Sequence, residues 1–434
     1  MAIAATPIAA RQAPKGAPPS KQAPAAAAAK PPAFVVDKLW PMPLPNHWVY
    51  GSITGLAIDS RDHVFVATRP ASVAAGNVAG LMSNPVTAEY CCRAAPPMLE
   101  FDAAGKLIAS WGGPAKEGPN KEKEYDWPVS TGGIAVDDKG NIWITAAGVP
   151  EPAAVAAGAT GVVPGAARAG GAAAPAAGAP AAPAAAAATP PANAGRGRGE
   201  ATVIPGAEGA PVAPASGRGN AGPPAPADAH ILKFTRDGKF LMQIGKAGAT
   251  GPRDSKTTLD KPADVFIDNA ANELYVADGG ANQRVVVFDA TTGAFKRQWT
   301  GHGGDFLRIS SITVSKDGQV YVGDRKGNKV QVFKKDGAFV KDLEVAKGTL
   351  TNGSVWDVSL SNDAKQTWLF VADGQNSTVR VFNRDTLAPA GTIGDGGRWP
   401  GRFYAVNNLA MDSKGNLFTG EGYEGKRVQK FVKK

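Results

Sequence analysis

The chain has 434 residues, with 20% charged and 7% aromatic side chains, which is ordinary for a folded protein. No apolar run approaches the ~18 residues a bilayer-spanning helix needs, so no membrane span is expected. A net charge of +9, from 47 Lys and Arg against 38 Asp and Glu, permits contact with anionic surfaces without requiring it.

Residues 1–33 are rich in Ala and Pro and are expected to form a disordered leader. They lack a basic segment ahead of an apolar run, so no signal peptide is recognisable. Residues 34–40 read as an orphan strand. A first repeat spans 49–111, with a long loop between Arg69 and Pro97 that holds Cys91 and Cys92, the chain's two cysteines. Adjacent cysteines cannot adopt ordinary disulfide geometry. They form either a strained vicinal disulfide in an oxidising compartment or two free thiols.

A second repeat begins at Tyr125 and breaks off after Ala147. Residues 148–228 are nearly all Ala, Pro and Gly, a low-complexity insertion of a kind that loop-closure entropy tolerates. The repeat resumes at His230. Its Arg-Gly clusters, 195–200 and 216–220, are read as parts of a solvated linker.

The clearest unit is 259–300. Ala263-Asp264-Val265-Phe266-Ile267-Asp268, Glu273-Leu274-Tyr275-Val276-Ala277-Asp278 and Arg284-Val285-Val286-Val287-Phe288 are short, β-branched or aromatic, and bounded by turn residues. Phe295 to Trp299 supplies a fourth strand. Four such strands need neighbours to bury their faces. The turn-plus-strand pattern recurs at 61–68, 138–145, 317–324, 366–373 and 414–421. Its marker residues Ile267, Val314, Leu360 and Met411 are 47, 46 and 51 apart. That period predicts an all-β fold, a six-bladed β-propeller. The last repeat has only three strands, so 34–40 is expected to pair with 427–432 and close the ring.

Tyr275-Val276-Ala277-Asp278 with Asn282 and Arg284 to Phe288, and Val322-Gly323-Asp324 with Asn328 and Val330 to Phe333, resemble NHL-repeat propellers. The resemblance covers most of 34–434 outside the insertion. Pro262-Ala263-Asp264-Val265 and 278–284 are similar to the peptidyl-α-hydroxyglycine amidating lyase branch and its bacterial relatives. That resemblance implies a zinc ion held by three histidines. The aligned positions here are Gly132, Ser310 and Asn407. The branch's catalytic tyrosine aligns with Gly280, and its active-site arginine with Arg69. The expectation is a lyase-like scaffold without the zinc site, hence no catalytic residues, no metal and no cofactor.

The entrances of the inner strands form the mouth of a propeller channel. Arg69, Asp264, Ser310, Asp357 and Asn407 are therefore expected to converge and to bind a ligand, or else to line a hydrated channel. Asp278, Asp324, Asp373 and Glu421 end equivalent strands and are read as acceptors for turn backbone rather than a cation-binding ring. His47, His63, His230 and His302 show no ligand spacing.

The expected function is a non-catalytic binding or scaffold protein for a peptide, small molecule or protein partner, monomeric, and exported to the periplasm or beyond. One alternative is an enzyme of lactonase type with Ca²⁺ in the channel, held by Asp264, Asp357 and Asn407. The other is RNA binding on a basic face; nucleic acid is not the expected partner.

Overall fold

In the computed structural model the described residues are 30–73, 80, 86–113, 125–148 and 228–434. The leader and the insertion read from the sequence fall almost wholly outside them, as do both Arg-Gly clusters.

Six four-stranded antiparallel sheets form six blades. Blade three is Pro262–Asp268, Glu273–Asp278, Arg284–Asp289 and Phe295–Trp299, the four strands read from the sequence. The first strands of successive blades pack against one another and form the inner ring. Blade six is completed by the N-terminal strand Phe34–Asp37, which pairs with Val428–Lys433, Phe34 opposite Lys433. The N-terminal strand thus supplies the outermost strand of the last blade and closes the ring.

The second strand of each blade shows why the blades need one another. Its side chains alternate between two neighbours. Leu274 and Val276 pack with Trp143 and Ile231 of blade two. Tyr275 and Ala277 pack with Ile312 and Val322 of blade four. Both faces are therefore apolar, and all six residues of Glu273–Asp278 are buried. At roughly 25 cal/mol per Å² of apolar surface removed from water, the interblade seams supply most of the driving force for folding.

The two faces of the ring differ. On one, the hairpin turns of blades one, two and six are each locked by a side chain accepting from backbone two and four residues on: Asp59 from Arg61 and His63, Asp137 from Lys139 and Asn141, Asp412 from Lys414 and Asn416. This is Asx-turn chemistry and it leaves that face polar. The other face carries exposed Leu307, Leu350, Trp399 and Tyr423, together with the channel mouth.

In blade two the insertion leaves and returns at one point. The Asp228 N–H donates to the Gly148 carbonyl at 3.0 Å, and the Gly148 N–H donates to the Asp228 carboxylate at 2.7 Å. The same carboxylate accepts from the backbone of Val129 and Ser130, both at 3.0 Å. Cys91 and Cys92 are joined through their sulfurs across a cis peptide.

Candidate functional site at the channel mouth

Antiparallel pairing puts the start of every first strand and the end of every second strand on one face. Five first strands bulge there. The register skips at Thr54, Ala263, Ser310 and Asn407, and at Gly132 with Gly133. A bulge re-aims the extra residue, and these residues line a cavity of about 170 Å³. Blade five contributes Trp356 and Asp357.

Four of the five expected site residues meet here: Asp264, Ser310, Asp357 and Asn407 all line this cavity. Arg69 does not. It ends the strand Val64–Arg69 opposite Ser52, outside the lining. Ser310 and Asn407 also stitch blades together. The Ser310 hydroxyl lies 2.8 Å from the Val355 carbonyl, and Asn407 Nδ2 donates to the Ile53 carbonyl at 3.2 Å.

A second cavity, about 200 Å³, lies further along the channel, with Leu56, Val265, Ile267 and Val358 among its walls. Asp264, Asp357, Gly133 and Asn408 belong to both cavities and form the waist between them. Gly133 makes room there, since a Cβ on it would lie 1.9 Å from Asp264 Oδ1.

The two carboxylates are held by backbone. Asp264 Oδ2 accepts from Ile312 at 3.0 Å, and Asp357 accepts from Val358 and Leu409, both at 2.7 Å. Among the described residues no lysine, arginine or histidine pairs with either. Burial pushes Asp264 up to about 7, against the backbone donors of Ile312 and Val265. Asp357 is raised well above the usual range, first by burial and then by the negative charge of Asp264. Two like charges this close to one another do not both ionise at neutral pH.

At the rim stands Arg325, only 7% exposed. Its guanidinium carbon lies 3.5 Å from the centre of the Trp356 ring, and Nε donates to the Asn352 carbonyl at 2.8 Å. Nη2 is buried without a hydrogen-bond partner. Burial brings its pKa down to about 10, the charge of Arg308 adds to the lowering, and Tyr423 opposes it. Arg325 is therefore charged at neutral pH and holds an unused donor beside the cavity.

The sequence reading missed Arg325, Arg308, Trp356 and Tyr423. A signal existed. Glycine follows the strand-ending carboxylate in three blades, as Gly279, Gly374 and Gly422, whereas Arg325 follows Asp324. Arg69 holds the equivalent register position in blade one.

The strand-ending carboxylates themselves do turn work. Asp278 accepts from the Asp260 backbone and pairs with Arg284, Asp324 accepts from Leu307 and Arg308, Asp373 pairs with Arg380, and Glu421 accepts from Tyr404 and Arg427. Gly280 has φ +55°, and a Cβ on it would fall 2.2 Å from the Asp260 carboxylate. His63 reaches Glu100 at 2.8 Å, buried His230 bonds to the Asp126 carbonyl at 2.6 Å, and His302 stacks on Phe339 at 3.7 Å. No group of three His, Cys, Asp or Glu among the described residues is arranged to hold a metal.

Residues 306–333, the second half of which holds Arg325, match the family model described as NHL repeat. This stretch of blade four therefore carries an NHL repeat within a six-bladed propeller. Mouse NHL repeat-containing protein 3 is 27% identical over 178 residues, 38% of this chain and 46% of that protein. Peptidyl-glycine alpha-amidating monooxygenase B of Xenopus laevis is 30% identical over 142 residues, 26% of this chain and 16% of that protein. The match thus spans less than half the length of either relative. Among solved structures, this propeller aligns with a streptogramin B lyase at 9% identity and a TM-score of 0.45, over 92% of this chain and 98% of that one.

Proposed function

We propose that this NHL propeller is a non-catalytic binding protein that holds a small polar ligand or the end of a peptide in its channel mouth. The observation that carries the reading is Arg325: buried, charged, stacked on Trp356, and left with an unused donor beside a cavity ringed by bulged inner strands. A desolvated guanidinium stacked on an aromatic ring is a strong donor to anionic groups. Residues Asp264, Ser310, Asp357 and Asn407 would supply the remaining polar contacts. Disulfide-paired Cys91 and Cys92 fit a periplasmic or extracellular protein.

The test is calorimetric titration of purified protein with short peptides and small carboxylates, together with metal analysis and an assay for glyoxylate release from a hydroxyglycine peptide. Binding that needs Arg325 is expected, without stoichiometric zinc and without glyoxylate. Zinc with turnover would overturn the non-catalytic reading.

A second reading is favoured by one observation, the absence of a basic partner for Asp264 and Asp357. A divalent cation such as Ca²⁺ could sit at the waist, with Asn407 as a further oxygen donor, and support hydrolytic chemistry. Thermal unfolding with Ca²⁺ and with chelator separates the two, since only this reading expects a difference.

A further inference from the structure

The mouth cavity is bipolar. Its rim carries Arg308 and Arg325, and its floor carries Asp264 and Asp357. Neither set neutralises the other. No ion pair joins Arg308 or Arg325 to Asp264 or Asp357 among the described residues, although all four line the one cavity. The separation leaves Arg325 with a buried, unpartnered nitrogen and the aspartates with backbone donors as their only opposing groups.

We propose, building on the mouth as a binding site, that the ligand is a zwitterion with its charges several ångströms apart, a short free peptide. Its ammonium end rests on the Asp264–Asp357 floor and its carboxylate end meets Arg325 at the rim. An α-amino acid is too short, since its two charges sit on neighbouring atoms of one carbon. Each further residue extends the reach by ~3.3–3.6 Å, so two or three residues suit a rim and floor that share one cavity without forming an ion pair. A single anion would satisfy the rim and leave the floor unused. A simple amine would do the reverse. The small volume, about 170 Å³, favours alanine-sized side chains. Gly133 contributes by admitting the Asp264 carboxylate to the floor, where any side chain would displace it.

The experiment is calorimetric titration of the full chain at pH 7 with Ala-Ala, Ala-Ala-Ala, alanine, N-acetyl-Ala-Ala and Ala-Ala-amide. The free di- or tripeptide is expected to bind at least about tenfold more tightly than the acetylated, amidated or single-residue ligands, the loss typical of one charge-assisted hydrogen bond. Asp357→Asn is expected to narrow the gap between the free and the acetylated peptide, read as the ratio of their two affinities. Far-ultraviolet circular dichroism establishes that the variant is folded, and the ligand series on the unaltered chain stands without it. Equal affinity for acetylated and free peptides would overturn the inference and leave the rim reading standing. If the peptides fail to bind in every form, both fall.

Discussion

The guanidinium of Arg325 stacks on Trp356 across the seam between blades four and five, 3.5 Å from ring centre to guanidinium carbon. Both residues belong to the same cavity wall. The planar cation is desolvated by the ring and oriented by the Asn352 carbonyl, so its position is set before any ligand arrives. Replacing it with Lys keeps the charge and loses both the stack and the fork. Arg325→Lys should weaken binding of a carboxylate-bearing ligand at least about tenfold. Arg325→Met should abolish it with little loss of stability, because an apolar chain can replace the stacked stem. Quenching of tryptophan fluorescence on titration, with Trp356→Phe as reference, reads both.

The waist carboxylates set a pH dependence. A carboxyl whose folded pKa lies above its unfolded value binds more protons when folded, so stability falls as pH rises between the two values. For Asp264 that window runs from the ordinary carboxylate range to about 7, and Asp357 shifts in the same direction. The melting temperature should therefore rise as pH falls from 8 to 5. Asp357→Asn should flatten the profile and raise stability at pH 8 by about 1–2 °C or more. A profile that stays steep in the variant places the titration elsewhere.

Arg284 is wholly buried beside Asp278, and its other nitrogens donate to the carbonyls of Ser255 and Thr258. Arg284→Ala strands a buried carboxylate and should cost about 3–5 kcal/mol. The double variant Arg284→Met with Asp278→Asn should recover part of that loss. Chemical denaturation of the three proteins reads the difference.

Asp228 is the clamp of blade two. It receives three backbone donors, two from the incoming loop and one from Gly148. Asp228→Ala leaves three amides without their acceptor and should cost about 2–4 kcal/mol, in the range of losing hydrogen bonds to a charged group. Hydrogen exchange should localise the weakening to 129–148 and 228–234.

Repeat spacing made the architecture legible, because each blade buries its second strand on both faces and so must rewrite the same apolar pattern at every turn of the ring. Ile267, Val314, Leu360 and Met411 hold equivalent hairpin positions in the structure. Closure by Phe34–Asp37 was legible for a related reason, since one unit lacked a strand. The mouth was readable in part. Asp264, Ser310, Asp357 and Asn407 converge because they sit at matched bulges or strand starts, positions that alignment of the units identifies. Arg325 escaped because its role depends on facing Trp356 of the next blade, a relation between units that no single unit displays. Arg69 was expected at the cavity and sits outside its lining, although its register position is the counterpart of Arg325.

The closed neck between Gly148 and Asp228 has an engineering consequence. Because the two chain ends of the insertion are tied side by side, the ring is indifferent to what is spliced between them, and doubling the spliced length adds only ~0.6 kcal/mol of closure entropy. Blade two is a ready-made docking port for grafted cargo: a reporter domain or affinity tag placed there would be displayed beside the mouth without interrupting a single rung of the ladder.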